Sequence, residues 1–242
     1  MRIKKRVNSI DYNATGEFFK HRAEKYDENN PYSVTMYQDN NPDLVNERNK
    51  AETMKLLPFL ELDNNSRVLD LACGIGRWSD VLPDYIRLYY GIDFSPELIQ
   101  IAEKRNKRKN AIFKVGSISR LGDILDKEES FSDILIIGAL MYLNDADVEN
   151  TFVSLMDHCA EHSVICIREP IGIDERLTLK DHYSSELSDN YNAIYRTRDE
   201  LIRLIEKPLS DHHFHLKEED YLFEGQLNNR KETSQYYFIF KR

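Results

Sequence analysis

Residues 68–78 read VLDLACGIGRW. Val68, Leu69 and Leu71 form an apolar run broken by one acid, Asp70, and the run stops at Gly74 and Gly76, spaced G-x-G, before an amphipathic segment. A short buried strand ending in glycines ahead of a helix brings backbone close to a ligand. Outward from this stretch the chain alternates. LYYGIDF (88–94) reads as a second strand, AIFKVG (111–116) as a third, FSDILIIGAL (131–140) as a fourth and SVICIREP (163–170) as a fifth, ended by Pro170. Between them lie helix patterns. SPELIQIAEKRNKRKN has Ser95 as cap, Pro96 in the first turn and Glu97 suited to the helix dipole, and DADVENTFVSLMDHCA follows the fourth strand. Upstream, PDLVNERNKAETMKLLPFL predicts a helix opened by Pro42 and Asp43. Such alternation indicates a parallel sheet covered on both faces. After Pro170 the rhythm breaks into a polar, tyrosine-rich insert, 171–197. TRDELIRLIEKP then resumes a helix, and HHFHLKEEDYLF and SQYYFIFKR pair as an antiparallel hairpin at a sheet edge.

The totals set the class. With 242 residues, 41% of them hydrophobic, the chain can bury one sizeable core. A net charge of -9 gives it nothing to gain from the field of a nucleic acid or an anionic membrane. No run has the length of a membrane span. The start, MRIKKRVNSIDYN, turns polar where a signal peptide needs an apolar stretch. Cys73, Cys159 and Cys166 sit in apolar surroundings without a C-x-x-C, so they read as reduced thiols of a cytoplasmic protein.

The ligand of an open α/β sheet sits at the carboxyl ends of the strands, near Asp70–Gly76. A triphosphate loop needs Lys-Ser/Thr after its last glycine, and Arg77-Trp78 stands there. A dinucleotide fold needs a third glycine, and Ser79 occupies that position. S-adenosylmethionine has no phosphate and fits both departures, with Asp93 in YYGIDFS at the place for an acid that takes ribose hydroxyls. The chain resembles the class I S-adenosylmethionine-dependent methyltransferases over roughly residues 45–170. VLDLACGIGRW matches their D-x-G-x-G-x-G motif, GIDFSPELI the ribose motif, AIFKVGSIS the adenine segment and FSDILIIGALMYLND the fourth-strand motif. Two departures appear: Ala72 replaces the first glycine, and Ser117 stands where many relatives have an aspartate.

The resemblance implies a Rossmann-like α/β fold. Its seven-stranded, mostly parallel sheet has helices on both faces and a C-terminal antiparallel strand pair. Residues 1–42 would form an N-terminal lid, and 43–242 a single domain carrying the insert 171–197. It also implies roles. Ala72, Gly74 and Asp70, with Gly76 completing the turn, would hold the methionine part, and Asp93 the ribose. Phe94, Leu98, Ser117 and Ile118 would flank the adenine, while Gly138, Ala139 and Leu140 would line the sulfonium.

The acceptor site must come from the rest of the chain. Met36 and Tyr37 near the N-terminal loop, and Arg168, Tyr183, Tyr191, Tyr195 and Arg196 in and beside the insert, are the substrate-binding candidates. Arginine suits a phosphate or carboxylate and tyrosine offers a stacking ring with a polar tip. Arg176 and Arg198 belong to the same arginine-rich stretch. Glu169 and His182 are the candidate bases, although a carboxylate or phosphate acceptor needs none. The expected activity is therefore methyl transfer, by in-line displacement, to a small anionic or phosphorylated acceptor such as a sugar or a nucleotide-linked sugar. An RNA or protein methyltransferase and an inactive cofactor-binding subunit are the alternatives. EKRNKRKN (103–110) reads as a solvated helix end. His213 and His215 share a strand face, but no acid or cysteine at ligand spacing joins them, so no metal is expected.

Overall fold

The computed structural model describes residues 1–3, 9–37 and 41–242. In chain order it forms β1 (Arg2–Ile3), α1 (Tyr12–Glu24), the single turn α2 (Ser33–Met36) and α3 (Pro42–Leu56). The alternating core follows: β2 (Arg67–Leu71), β3 (Leu88–Asp93), α4 (Pro96–Arg105), β4 (Ala111–Val115), β5 (Phe131–Ile137), α5 (Asp145–Met156) and β6 (Cys159–Gly172). Then come β7 (Leu177–Ser184), β8 (Asp189–Tyr195), α6 (Arg198–Asp211), β9 (His215–Tyr221) and β10 (Thr233–Lys241).

The main sheet has seven strands in the order β4-β3-β2-β5-β6-β10-β9. The first five are parallel, and β10 and β9 pair antiparallel at one edge. Side chains alternate between its faces. Leu69, Leu71, Ile134 and Ile136 pack with Phe152 of α5 and Ile205 of α6. Val68, Leu135, Cys166 and Ile239 pack on the other side with Leu56 and Trp78. Each such fully buried aliphatic or aromatic side chain contributes roughly 1.5–3 kcal/mol. The helix starts follow their caps. Asn41 Oδ1 accepts the Leu44 amide at 3.1 Å, Ser95 Oγ accepts Leu98 at 3.2 Å, and Thr197 forms a reciprocal capping box with Glu200. The three cysteines are free and buried. No helix among the described residues is long and apolar enough to cross a membrane.

Several local expectations are corrected. The segment after the glycine turn is one 3-10 turn, Arg77–Asp80, not an α-helix. Pro83 closes off helical continuation, and Arg108 donates to the carbonyls of Ser79 at 2.5 Å and Pro83 at 3.0 Å. The basic run after α4 therefore fastens this segment, with Arg105 paired to Asp80. The fifth strand passes through Pro170, because β10 pairs with it as far as Gly172. The 171–197 insert is itself β structure: β7 and β8 form an antiparallel hairpin joined by β1 into a second sheet, β1-β7-β8. His213 precedes its strand, with φ +65°, and does not share a strand face with His215.

Candidate functional site

β2 and β5 are neighbours, while the chain leaves β2 toward β3 on the opposite side, so the sheet has its switch point at their carboxyl ends. A cavity of about 860 Å³ opens there. The loop after β2 enters it in left-handed conformation: Ala72 has φ +63°, Gly74 +56° and Gly76 +74°. An alanine in that region is strained by about 1–2 kcal/mol, which explains why glycine is the usual residue there. Asp93, at the end of β3, accepts the amides of Gly74 at 2.8 Å and Ser95 at 2.9 Å, so it joins the loop to the start of α4. Asp70 accepts the Tyr89 hydroxyl at 2.6 Å. Both acids are buried and both lie on the cavity wall. Burial raises Asp70 to about 7 against the Tyr89 hydrogen bond and the Arg77 charge. Burial likewise raises Asp93 to about 6 against the amides it accepts. Two buried acids at the rim of a cavity suit a ligand that brings hydroxyl donors and positive charge. Thr35 Oγ1 and Trp78 Nε1 also lie on this wall, buried and without a hydrogen-bond partner among the described residues. The pieces fit S-adenosylmethionine, which carries an ammonium, a sulfonium and a ribose.

The other walls are built by the second sheet and the N-terminal segment. Ala72, Phe94, Leu98, Ser117 and Ile118 lie on the donor side with Gly138 and Ala139, as the motifs imply. Met36, Tyr37, Arg168, His182, Tyr191 and Tyr195 lie on the wall too. Thr35 of α2 sits directly on the glycine loop: a Cβ on Gly74 would meet its Cγ2 at 2.7 Å. The Tyr37 hydroxyl bonds Tyr142, and the Tyr191 hydroxyl bonds Tyr195. Gly138 has φ +70°, and a Cβ there would meet Arg168 Nη1 at 2.8 Å. The Arg168 guanidinium thus lies against the residue that follows β5.

Arg168 belongs to a buried charge network. Glu52 of α3, 1% exposed, meets Arg168 Nε at 2.8 Å and the Arg77 guanidinium on its other oxygen. Arg77 also donates to Asn49 Oδ1 at 2.7 Å, and Arg168 Nη1 to Gln235 Oε1 at 3.2 Å. Burial alone would raise the Glu52 pKa, but the Arg168 and Arg77 charges outweigh it and hold the carboxyl below its ordinary value.

Five candidates fall off the cavity wall. Glu169 is not a base facing the cavity: Oε1 accepts the amides of Ala139 at 2.7 Å and Leu140 at 2.9 Å, and Oε2 accepts Met141 at 3.1 Å. It caps the turn after β5 and so positions Gly138 and Ala139. Leu140 is core, 1% exposed, contributing only its backbone to that cap and to Arg196. Arg196 is not free for an acceptor. It pairs with Asp145 at 2.8 Å and donates to the carbonyls of Leu140 at 2.8 Å and Leu143 at 2.7 Å. Arg176 joins the same Asp145 at 3.0 Å, so these two arginines stitch the second sheet to the β5–α5 connection. Tyr183 is 60% exposed and points away. Gly76 stands behind the loop, its Cα facing Phe113.

Other wall residues escape the sequence reading: Phe19, Arg48, Glu52, Tyr142, Arg230 and Gln235. A signal existed for three. Val45, Arg48, Glu52 and Leu56 recur at helical spacing, so α3 carries two charges within its apolar stripe. Tyr142 lies in the quoted fourth-strand motif, and the 3-10 turn Leu140–Tyr142 carries it onto the wall, edge-on to Phe19 at 5.0 Å.

Crevice, left-handed loop and buried acid together define an α/β protein with a ligand crevice at its switch point. Residues 68–162 match the sequence model of the methyltransferase-domain family. Among curated proteins, the chain is 28% identical over 155 residues to phosphoethanolamine N-methyltransferase 1 of Caenorhabditis elegans, covering 62% of this chain and 30% of the relative. It is 30% identical over 112 residues to an uncharacterized RNA methyltransferase of Bacillus cereus, covering 45% and 24%. The chain thus spans less than a third of the length of these curated relatives. Among solved structures, Haemonchus contortus phosphoethanolamine N-methyltransferase 1, in complex with phosphoethanolamine and S-adenosylhomocysteine, superposes with a TM-score of 0.68. That match is 18% identical and covers 95% of this chain and 48% of the other. Residues 68–162 thus carry a methyltransferase-domain match, and the chain as a whole shares the fold of that S-adenosylhomocysteine-bound structure.

Proposed function

We propose that the protein transfers the methyl group of S-adenosylmethionine to a small acceptor that carries a phosphate or carboxylate, seated on Arg168. The observation that carries this reading is the place of Arg168. Its guanidinium lies over Gly138 on the wall between the donor side and the second sheet, and one carboxylate, Glu52, is shared between it and Arg77. The names of the C. elegans and H. contortus relatives, enzymes of a phosphate-bearing amine, support an anionic acceptor. RNA is disfavoured by the net charge of -9.

On this reading Asp93 accepts the ribose hydroxyls, Asp70 and the backbone from Ala72 to Gly74 hold the methionine end, and Phe94, Leu98, Ser117 and Ile118 flank the adenine. The donor, when bound, supplies a methyl group on a sulfonium, an excellent leaving group. The chain's task is alignment and exclusion of water, and alignment is worth up to roughly 7–11 kcal/mol. Residues 9–37 act as a lid, with Met36 and Tyr37 over the acceptor. Burial pushes the hydroxyls of Tyr37, Tyr142 and Tyr195 up, so they stay protonated and serve as hydrogen-bonding partners. Where the acceptor loses a proton, His182 takes it. Burial, then the N-terminal and Arg2 charges, lower its pKa, so the imidazole is neutral and basic near pH 7.

The test uses protein saturated with S-adenosylhomocysteine and inorganic phosphate as the probe. Arg168→Gln lowers phosphate affinity by about 10- to 150-fold, the ~1.5–3 kcal/mol of a hydrogen bond to a charged group, and leaves S-adenosylhomocysteine affinity within about twofold. Equal loss of both affinities by calorimetry contradicts the assignment and points to a collapsed core.

A further inference from the structure

The acceptor end of the cavity has a charge unlike that of the chain as a whole. Among the described wall residues it gathers Arg2, Arg48, Arg77, Arg168, Arg230 and Lys231 against Glu52, Glu186 and Glu232. With Arg120, Asp70, Asp93 and Asp147 elsewhere on the wall, the described lining carries seven lysines and arginines against six carboxylates, in a protein of net charge -9. Three of the cations are matched: Arg77 shares Glu52, Arg230 pairs with Glu186, and Arg2 pairs with Glu232. Arg168 has only its share of Glu52. Arg48 stands apart. It comes from α3 one turn before Glu52, and no carboxylate lies within ion-pair distance of it among the described residues. Its guanidinium meets neutral groups: Leu227 O at 2.9 Å from Nε and 2.6 Å from Nη2, and Asn229 Oδ1 at 2.7 Å. One face lies over the Phe223 ring at 5.7 Å. Burial, then the neighbouring Arg230 charge, lowers its pKa; the Glu186 charge opposes this and the Arg168 charge adds to it, with the net shift downward. A half-buried cation crowded by like charges is costly unless an anion completes it.

We propose that Arg48, with Arg230 beside it and Lys231 on the same wall, forms a second anion subsite beyond Arg168, so that the acceptor carries two linked anionic groups, as in a diphosphate ester. This rests on the reading of Arg168 as the first anion seat. It deepens that reading from a singly anionic acceptor to one whose first phosphate lies at Arg168 and whose second reaches Arg48. The cavity volume, about 860 Å³, lies toward the upper end for a single ligand site, which leaves room beside the donor for an extended acceptor. The hydrogen bonds to Leu227 and Asn229 aim the guanidinium without pairing it to a carboxylate, as a receptor for phosphate requires.

Calorimetry on protein saturated with S-adenosylhomocysteine, with inorganic phosphate and pyrophosphate as probes, tests it. Wild-type protein holds pyrophosphate at least tenfold tighter than phosphate. Arg48→Gln shrinks that gap to about twofold and leaves phosphate affinity unchanged, whereas Arg168→Gln lowers both. Arg48→Lys keeps the charge but not the fork on Leu227, so it retains most of the pyrophosphate preference if Arg48 is a binding residue. Equal affinity for the two probes, with phosphate still dependent on Arg168, overturns the second subsite and leaves the first intact. Binding of neither probe overturns both. Loss of the preference in Arg48→Lys to the same degree as in Arg48→Gln shows that Arg48 merely clamps the chain near Leu227, and also overturns the proposal.

Discussion

Asp93→Ala lowers affinity for S-adenosylhomocysteine by about 100- to 10,000-fold, the loss expected for two charge-assisted hydrogen bonds of roughly 1.5–3 kcal/mol each. The substitution removes the proposed acceptor for the ribose hydroxyls and also leaves the Gly74 and Ser95 amides unpaired, so the glycine loop loses its tie to α4. Asp93→Asn keeps the size of the side chain and loses less. The wild-type pH profile carries the same information. Burial raises the free acid to about 6, and the form that accepts two hydroxyl protons is the carboxylate. Binding therefore tightens as pH rises through 6, by up to about tenfold per unit from Asp93, and Asp70, raised to about 7, extends the rise to that pH before it levels off. Asp93→Asn removes the part of the slope centred near 6 and leaves the part near 7. Calorimetry giving wild-type affinity for Asp93→Ala removes the ribose assignment.

Glu52→Ala destabilises the fold by about 3–5 kcal/mol, the cost of stranding buried cations without their counter-charge. Arg77 and Arg168 both lose their carboxylate, and both are largely buried. The native contribution has a defined pH sense. The folded-state pKa of Glu52 lies below its unfolded value, so the stabilisation is present above the ordinary glutamate range and is lost as pH falls through the depressed value. Urea unfolding of wild type and Glu52→Ala at pH 7 measures the difference. A change below 1 kcal/mol would mean that solvent already screens the network, and the fixed placement of Arg168 would fail with it. Glu52→Ala, Arg168→Ala and the double variant together isolate the coupling between the two side chains.

The central strands were legible because a parallel sheet covered on both faces demands continuous apolar runs, and VLDLA and DILIIGA have them. The start of α4 was legible because Ser95-Pro96-Glu97 each favour that position for a separate reason. The β7–β8 hairpin was not. LTLKDHYS and DNYNAIY hold lysine, aspartates and asparagines, and their pairing depends on each other and on β1 rather than on an apolar pattern. Donor-side residues were readable because backbone conformation and motif spacing tie them to β2, β3 and β5. Acceptor-side residues were harder because arginine and glutamate do not announce their partners. Arg196 and Arg176 converge on Asp145, Glu169 is taken by three amides at the turn after β5, and Arg168 alone of that arginine-rich stretch reaches the cavity. Glu52 and Arg48 interrupt α3's apolar stripe in the sequence, but their place at the site became visible only once α3 was seen to lie along the crevice.

A crystal of the protein grown with S-adenosylhomocysteine tests the central claim most directly. The account predicts the ribose hydroxyls on Asp93 and the sulfur beside Gly138–Ala139, facing the space between Arg168 and the tyrosines of β8. Density for the compound anywhere other than the crevice above β2 and β3, or a ribose out of reach of Asp93, would contradict it.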